Sequence, residues 1–211
     1  MTEHYYSKNP TSEVREERIH FQVRGSTFTA IGASGLFSKE KLDKATHLLI
    51  QHCQVDNCKR VLDLGCGWGP IVLCLATTPQ NFSLAKDCEL FAVDSNSRAV
   101  NYTKKNLRLN INNQPKNYIL STLVKVSDGF ENIQDQKFDA ILTNPPYAAG
   151  RKVCFSFIEE SKNHLLPGGS LQLVARHNKG GKTLSAHMES IFGNVKTLVK
   201  KGGFRVYKSV F

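Results

Sequence analysis

The sequence predicts an α/β fold built on a mainly parallel sheet. Short, nearly continuous apolar runs recur along the 211 residues, the pattern of strands buried on both faces. Helix-period segments separate these runs, so strand and helix alternate. The hydrophobic share of 40% and charged share of 22% exclude a fibrous, collagen-like or wholly disordered chain. No linker, internal repeat or low-complexity segment interrupts the pattern. One domain over 1–211 is expected, with an amino-terminal extension at 1–35 and the core at 36–211.

The amino end reads as β: Arg18–Val23 and Thr27–Ile31 flank the turn Arg24-Gly25-Ser26. Lys41–Cys53 carries Leu42, Ala45, Leu48 and Leu49 at helix spacing, with Ser38 as the expected N-cap. Arg60–Leu64 is an apolar strand stopped by Gly65, and Pro70–Ala76 is a helix entered through Pro. Thr77–Asp87 looks like a loop insertion before the second strand, Glu89–Asp94. Ser97–Leu109 is helical, and Ile119–Val126 is a less regular strand. The strand Phe138–Thr143 runs into Asn144-Pro145-Pro146. The helix Val153–Leu166 is expected to stop at Pro167-Gly168, ahead of the strand Ser170–Ala175. Lys182–Phe192 is the last helix. Asn194–Val199 and Phe204–Phe211, joined by Lys200–Gly203, suit an antiparallel hairpin at the sheet edge.

No run approaches the ~20 apolar residues that cross a bilayer. Met1–Lys8 is polar, with no secretory h-region, and Glu13, Glu16 and Glu17 break any transit-peptide pattern. A cytoplasmic location is expected. The cysteines, Cys53, Cys58, Cys66, Cys74, Cys88 and Cys154, form no Cys-x-x-Cys pair. They read as reduced, mostly buried small hydrophobes, and no metal site is expected.

Three features carry chemistry. In Asp63-Leu64-Gly65-Cys66-Gly67-Trp68-Gly69-Pro70, a strand enters a glycine turn and then a helix. Glycine lets backbone approach a ligand, and a helix start offers unpaired N–H groups. The spacing is Gly-x-Gly-x-Gly, not the Gly-x-Gly-x-x-Gly of a dinucleotide site, and Asp63 would repel a pyrophosphate. A purely structural turn remains open. Asp94 ends the next strand, where an acid accepts from ribose hydroxyls or caps the Ser97 helix. Asp128 could accept from an adenine amine, but taken alone reads as a turn residue. Asn144-Pro145-Pro146-Tyr147 is the most specific tetrapeptide. Prolines donate nothing, so the turn is rich in acceptors. Asn144 Oδ1 and the Pro145 carbonyl suit the two hydrogens of a planar amine, with Tyr147 against its ring. The alternative is a bare turn with a core tyrosine.

These residues resemble class I S-adenosylmethionine-dependent methyltransferases of the amino-methylating group. His4–Pro10, Gly35-Leu36-Phe37-Ser38-Lys39, Leu42-Asp43, Arg98-Ala99-Val100 and the Lys200–Val206 tail extend the likeness to small-domain enzymes related to ribosomal RNA small-subunit guanine-N2 methyltransferases. The resemblance implies a Rossmann-like, doubly wound, seven-stranded sheet with an antiparallel carboxyl-terminal hairpin strand and an amino-terminal β extension. It implies S-adenosylmethionine as cofactor: Asp63, Gly65, Cys66 and Gly67 at its methionine part, and Asp94 at the ribose. Ser95, Asn96, Asp128 and Phe130 would lie at the adenine, with Phe37 and Ser38 closing over it. Asn144, Pro145 and Tyr147 would form the methyl-acceptor site, Asn144 also touching the cofactor. Apart from the resemblance, Arg151, Arg176 and Lys179 follow strands whose ends place the site, and with Pro146 they are expected to meet the substrate. Relatives often carry Phe or Ile where Tyr147 stands.

The net charge of +10 fits a nucleic-acid partner, here ribosomal RNA, although a solvated basic surface gives the same balance. Lys196, Lys200, Lys201, Arg205 and Lys208 occur without an intervening acid. The competing acceptors are guanine N2 in tRNA, adenine N6 and a protein glutamine amide. A further alternative is a non-catalytic RNA-binding or assembly module that kept the fold.

Overall fold

The computed structural model describes residues 13–113 and 115–211; His4–Pro10 lies outside them. Strands β1 (Glu16–Val23) and β2 (Ser26–Ala33) pair antiparallel as a separate ribbon. The others are β3 (Arg60–Leu64), β4 (Glu89–Asp94), β5 (Ser121–Val126), β6 (Phe138–Thr143), β7 (Leu165–Arg176), β8 (Lys196–Lys201) and β9 (Phe204–Val210). They form one seven-stranded sheet in the order β5-β4-β3-β6-β7-β9-β8. The pairs from β5 through β7 are parallel, while β7–β9 and β9–β8 are antiparallel. The predicted hairpin forms with a refinement: β9 inserts beside β7, and β8 takes the edge.

Helices α1 (Lys44–His52), α2 (Pro70–Thr77), α3 (Ser97–Asn110), α4 (Arg151–Asn163) and α5 (Lys182–Phe192) cover both faces. Leu49, Leu73 and Val100 of the first three pack with Val61, Leu142 and Val174. Phe157, Ile158, Leu184 and Met188 of the last two pack with the alternate set Leu62, Ile141 and Leu173. Period-two alternation thus feeds two cores, which is why the strands read as continuous apolar runs. The strand order reverses between β3 and β6, and such a switch point opens a crevice at the carboxyl ends of the strands.

Among the boundaries that differ from expectation, those of α1, α4 and β5 bear on the site or the sheet. Helix α1 starts at Lys44, and its N-cap is Asp43, not Ser38: the Asp43 carboxylate accepts from the Ala45 and Thr46 N–H groups at 2.9 and 3.0 Å. Ser38 lies in a turn with φ 51° and donates from Oγ to the Lys41 carbonyl. Helix α4 ends at Asn163, and Leu165 already pairs with Phe138. Pro167-Gly168-Gly169 therefore sits within β7, at a register shift, not at a helix end. A Cβ at Gly169 would stand 2.9 Å from the Phe138 carbonyl oxygen, so glycine permits the close approach. Strand β5 begins at Ser121; Ile119 is exposed, although its N–H still donates to the Lys86 carbonyl.

The ribbon turns through Arg24 and Gly25, both at positive φ, as a two-residue hairpin requires. Helix α3 closes its outer edge. The Asn106 side chain accepts from Ile31 N–H at 2.7 Å and donates to the Ile31 carbonyl at 3.0 Å. Asn110 donates to the Thr29 carbonyl at 2.9 Å. Four helix residues rise about 6 Å and two strand residues about 6.8 Å, so an i, i+4 pair of amides matches alternate strand positions. Asn106 also donates to the Trp68 carbonyl, linking the ribbon to the glycine turn.

The loop after β2 returns across Gly32, where an added Cβ would meet the Lys39 carbonyl oxygen at 1.9 Å. Gly32→Ala must push this loop outward. A stability loss of about 1–3 kcal/mol is expected, read from the urea unfolding midpoint; an unchanged midpoint would show that the loop yields freely.

Candidate active site

A cavity of about 350 Å³ opens at the switch point. The turns after β3, β4, β5 and β6 each contribute a wall, and Leu36, Phe37 and Ser38 of the ribbon loop contribute another. Gly65 and Gly67 adopt φ of 77° and 58°, a region that L side chains rarely occupy. The Gly65 and Cys66 N–H groups donate to the Val93 carbonyl at 2.9 Å, which folds the turn over β4. At Gly67 a Cβ would meet nothing within 4 Å, so φ and open space, not packing, explain the glycine. Gly69 differs: a Cβ there would strike Thr103 at 2.8 Å.

Asp94 ties these parts together. One carboxylate oxygen accepts from Gly67 N–H at 2.9 Å and the other from Asn96 N–H at 2.8 Å. Burial raises its carboxyl above the ordinary 3.8, against those two hydrogen bonds. Each oxygen keeps lone-pair capacity for a hydroxyl donor. The cap of α3 falls to Asn96, whose Oδ1 accepts from Arg98 and Ala99 N–H groups. That role buries Asn96 and holds it out of the cavity wall, while Ser95 remains in it.

Two further expectations are corrected. Asp63 is 1% exposed and lies behind the wall, not on it. One of its oxygens accepts from Val72 N–H in α2 at 3.2 Å; the other is buried without a partner. Phe130 is 1% exposed, stacked on His164 with ring centroids 4.2 Å apart, and belongs to the core. Asp128 and Gly129 line the cavity in its place. Cys66 lines the cavity, with a thiol pushed up by burial and lying 3.5 Å from the Thr103 hydroxyl.

Asn144, Pro145, Pro146 and Tyr147 line the same cavity as the glycine turn. The Asn144 Nδ2 donates to Asp43 Oδ2 at 3.2 Å and to Thr46 Oγ1 at 2.9 Å. The Pro145 carbonyl is not wholly free: it accepts from Tyr147 N–H at 2.9 Å, leaving one lone pair. The Tyr147 ring packs beside Gly180, and its hydroxyl is buried without a partner. Arg151 starts α4, Arg176 sits over the Phe204 ring at 5.8 Å, and Lys179 lies in a wide turn at His177–Gly181; none lines the cavity. Asp43 and Thr46 line the cavity although their roles were not read from sequence. An acid immediately before an apolar-periodic segment is an N-cap signal that points to Asp43, but nothing local links it to Asn144. No group of His, Cys, Asp and Glu among the described residues could hold a metal ion.

A switch-point cavity walled by a glycine turn, an acid on the neighbouring strand and an acceptor-rich turn defines a Rossmann-like α/β enzyme. More particularly, the chain belongs to the methyltransferase small domain family, which matches residues 27–208. It is 34% identical to the uncharacterized protein YbxB of Bacillus subtilis over 99% of this chain and 98% of that one. It is also 34% identical to ribosomal RNA small subunit methyltransferase C of Pseudoalteromonas translucida, over 89% of this chain and 51% of that one. A T. thermophilus 16S rRNA N2 methyltransferase (RsmC), solved with AdoMet and guanosine, superposes with a TM-score of 0.75 at 26% identity. That match covers 95% of this chain and 52% of the other. The chain thus spans about half the length of the ribosomal RNA methyltransferases it matches.

Burial pushes the Asp63 carboxyl from the ordinary 3.8 up to about 8. The folded protein therefore holds a proton that the unfolded chain releases over that span. This contribution is fully present below about pH 4 and lost as pH rises through about 8. Urea unfolding at about pH 5 and about pH 9 should show the wild type losing stability relative to Asp63→Asn as pH rises. Parallel profiles would contradict the assignment.

Proposed function

We propose that the protein transfers a methyl group from S-adenosylmethionine to an exocyclic amino group, guanine N2 in ribosomal RNA. The observation that carries this reading is the shared cavity: the glycine turn and the Asn144–Tyr147 turn both line it. The residues present fit the cofactor. Backbone at Gly65 and Gly67 is free of side chains, and Asp94 retains acceptor capacity for ribose hydroxyls. Ser95, Asp128, Phe37 and Ser38 would complete the site around the adenine.

When bound, the sulfonium supplies an already activated methyl group, so the protein contributes position and electrostatics. A base amine is a weak nucleophile because its lone pair conjugates with the ring. Asn144 Oδ1 and the remaining lone pair of the Pro145 carbonyl would accept its two hydrogens. These bonds favour a pyramidal nitrogen and stabilise the positive charge that develops on it. Tyr147 and Pro146 would form a flat wall against the base. A base within a stack must be extruded to reach this depth.

A cationic cluster supports an RNA substrate. Lys200 pairs with Arg205 across β8 and β9, and Arg205 with Ala175 of β7. His177 Nδ1 lies 2.7 Å from the Tyr207 hydroxyl, and His177 N–H donates to the Gly203 carbonyl. The turn that begins at His177 also packs on Tyr147 through Gly180. The cluster thus stands at the end of the sheet that holds the acceptor wall. Neither Lys200 nor Arg205 has an acidic partner within ion-pair distance among the described residues. Arg151, Arg176 and Lys179 would extend the phosphate track.

The test is labelled methyl transfer to small ribosomal subunits from a strain lacking the protein, followed by nucleoside analysis. N2-methylguanosine is the expected product; N6-methyladenosine or labelled protein would overturn the reading. Asn144→Ala should lower turnover by about 10²–10³-fold, the scale of removing one preorganised hydrogen bond. Replacing Lys200 and Arg205 together by Ala should flatten log K against log salt by about 1.4, two single-strand phosphate contacts. An unchanged slope in filter binding would remove these residues from the RNA path.

A further inference from the structure

We propose that Asp43 and Thr46 are positioning residues that set which face of the Asn144 amide meets the acceptor amine. The inference rests on the proposed methyl transfer and deepens it. An asparagine amide is nearly symmetric in shape, but its two ends are opposite in hydrogen bonding: Oδ1 accepts and Nδ2 donates two hydrogens. The acceptor site needs the oxygen, because an amino group presents hydrogens. Flipped by 180°, Asn144 would offer hydrogens to hydrogens.

Both Nδ2 hydrogens have acceptors on one element. Asp43 Oδ2 stands 3.2 Å away and Thr46 Oγ1 2.9 Å away, three residues apart at the start of α1. The same Asp43 oxygen accepts from Ala45 N–H, Thr46 N–H and, at 3.4 Å, the Thr46 hydroxyl. The Thr46 hydroxyl proton is thus directed to the carboxylate, so its oxygen faces Asn144 as an acceptor. A flipped amide would place its oxygen against a carboxylate oxygen and a hydroxyl lone pair. Charge repulsion makes that orientation costly and the productive one strongly preferred. Thr46 is 5% exposed, so water does not compete freely for these bonds.

The geometry also explains why the cap of α1 is an aspartate. Serine or asparagine would cap as well. Only a carboxylate or amide side chain reaches from the cap to Asn144, and the carboxylate has no donor end. Misplacing a reacting group by about 1 Å can lower rate by about 10²-fold.

The test compares Asp43→Ser, which keeps a capping oxygen but is too short to reach Asn144, with Thr46→Val and with Asp43→Asn. Single-turnover methyl transfer to small ribosomal subunits from a strain lacking the protein should slow about 10- to 100-fold in Asp43→Ser and Thr46→Val. S-adenosylmethionine affinity should stay within about twofold in both, because a group acting on the amide changes the chemical step and not uniform binding. Asp43→Asn keeps an acceptor oxygen and should restore most of the rate. In an Asn144→Ala background, Thr46→Val should cost less than about twofold more, the mark of residues acting through one another. Additive losses, or an Asp43→Asn variant as slow as Asp43→Ser, would overturn the inference. A substrate-free readout separates this from the parent proposal. The Asn144 side-chain NH₂ protons should exchange slowly with water in ¹⁵N-correlated spectra, and exchange should be faster in Asp43→Ser and Thr46→Val. Slow transfer by the wild type with protected signals would defeat only the assigned substrate; unprotected signals would defeat the positioning role.

Discussion

The site depends on one half-buried carboxylate. Asp94 holds the N–H of Gly67 with one oxygen and that of Asn96 with the other. Those bonds join two strand ends that would otherwise diverge, one entering α2 and the other α3. Hydrogen bonds to a charged acceptor are about twice as strong as neutral ones, and they are directional. They oppose the burial that raises the Asp94 carboxyl. The glycine turn keeps its positive-φ shape because its partner on β4 is anchored, and the cavity floor follows from that shape.

The other walls are held with comparable economy. Asn96 donates to the Gly35 carbonyl, and Arg98 to the Ser34 carbonyl, so the start of α3 grips the loop that carries Phe37 and Ser38. Asn106 joins the same helix to the Trp68 carbonyl beside the glycine turn. Phe21 of the ribbon meets Phe28 at 5.1 Å and Trp68 at 5.8 Å between ring centroids. The amino-terminal ribbon is thus continuous with the glycine-turn part of the cavity, while Asp43 ties α1 to the Asn144–Tyr147 turn.

Strand placement, sheet class and the two principal turns were legible in the residues, because buried parallel strands and glycine or proline turns leave strong local marks. The site residues divided along a physical line. Gly65, Gly67, Asp94, Asn144 and Tyr147 sit at strand ends, where topology alone brings them to one crevice. Phe130 and Asn96 were misplaced because their roles are set by distant partners: His164 stacks on the first, and the second must close the first turn of α3. Ser38 and Asp43 are both good caps in isolation. The ribbon loop decides between them by drawing Ser38 into a turn beneath Lys41. Pro167-Gly168-Gly169 resembles a helix stop, yet Leu165 has already joined Phe138, a pairing 27 residues away that no local pattern reveals.

The asparagines of α3 have a consequence for how the molecule meets its own copies. A two-stranded ribbon normally offers its outer peptide groups to any passing extended chain, the route to edge-to-edge aggregation. Here a side-chain amide imitates a neighbouring peptide at Ile31 and another caps Thr29, so that face is already spoken for. Two small polar side chains on a helix do, at these two positions of the β2 edge, what a third strand would do.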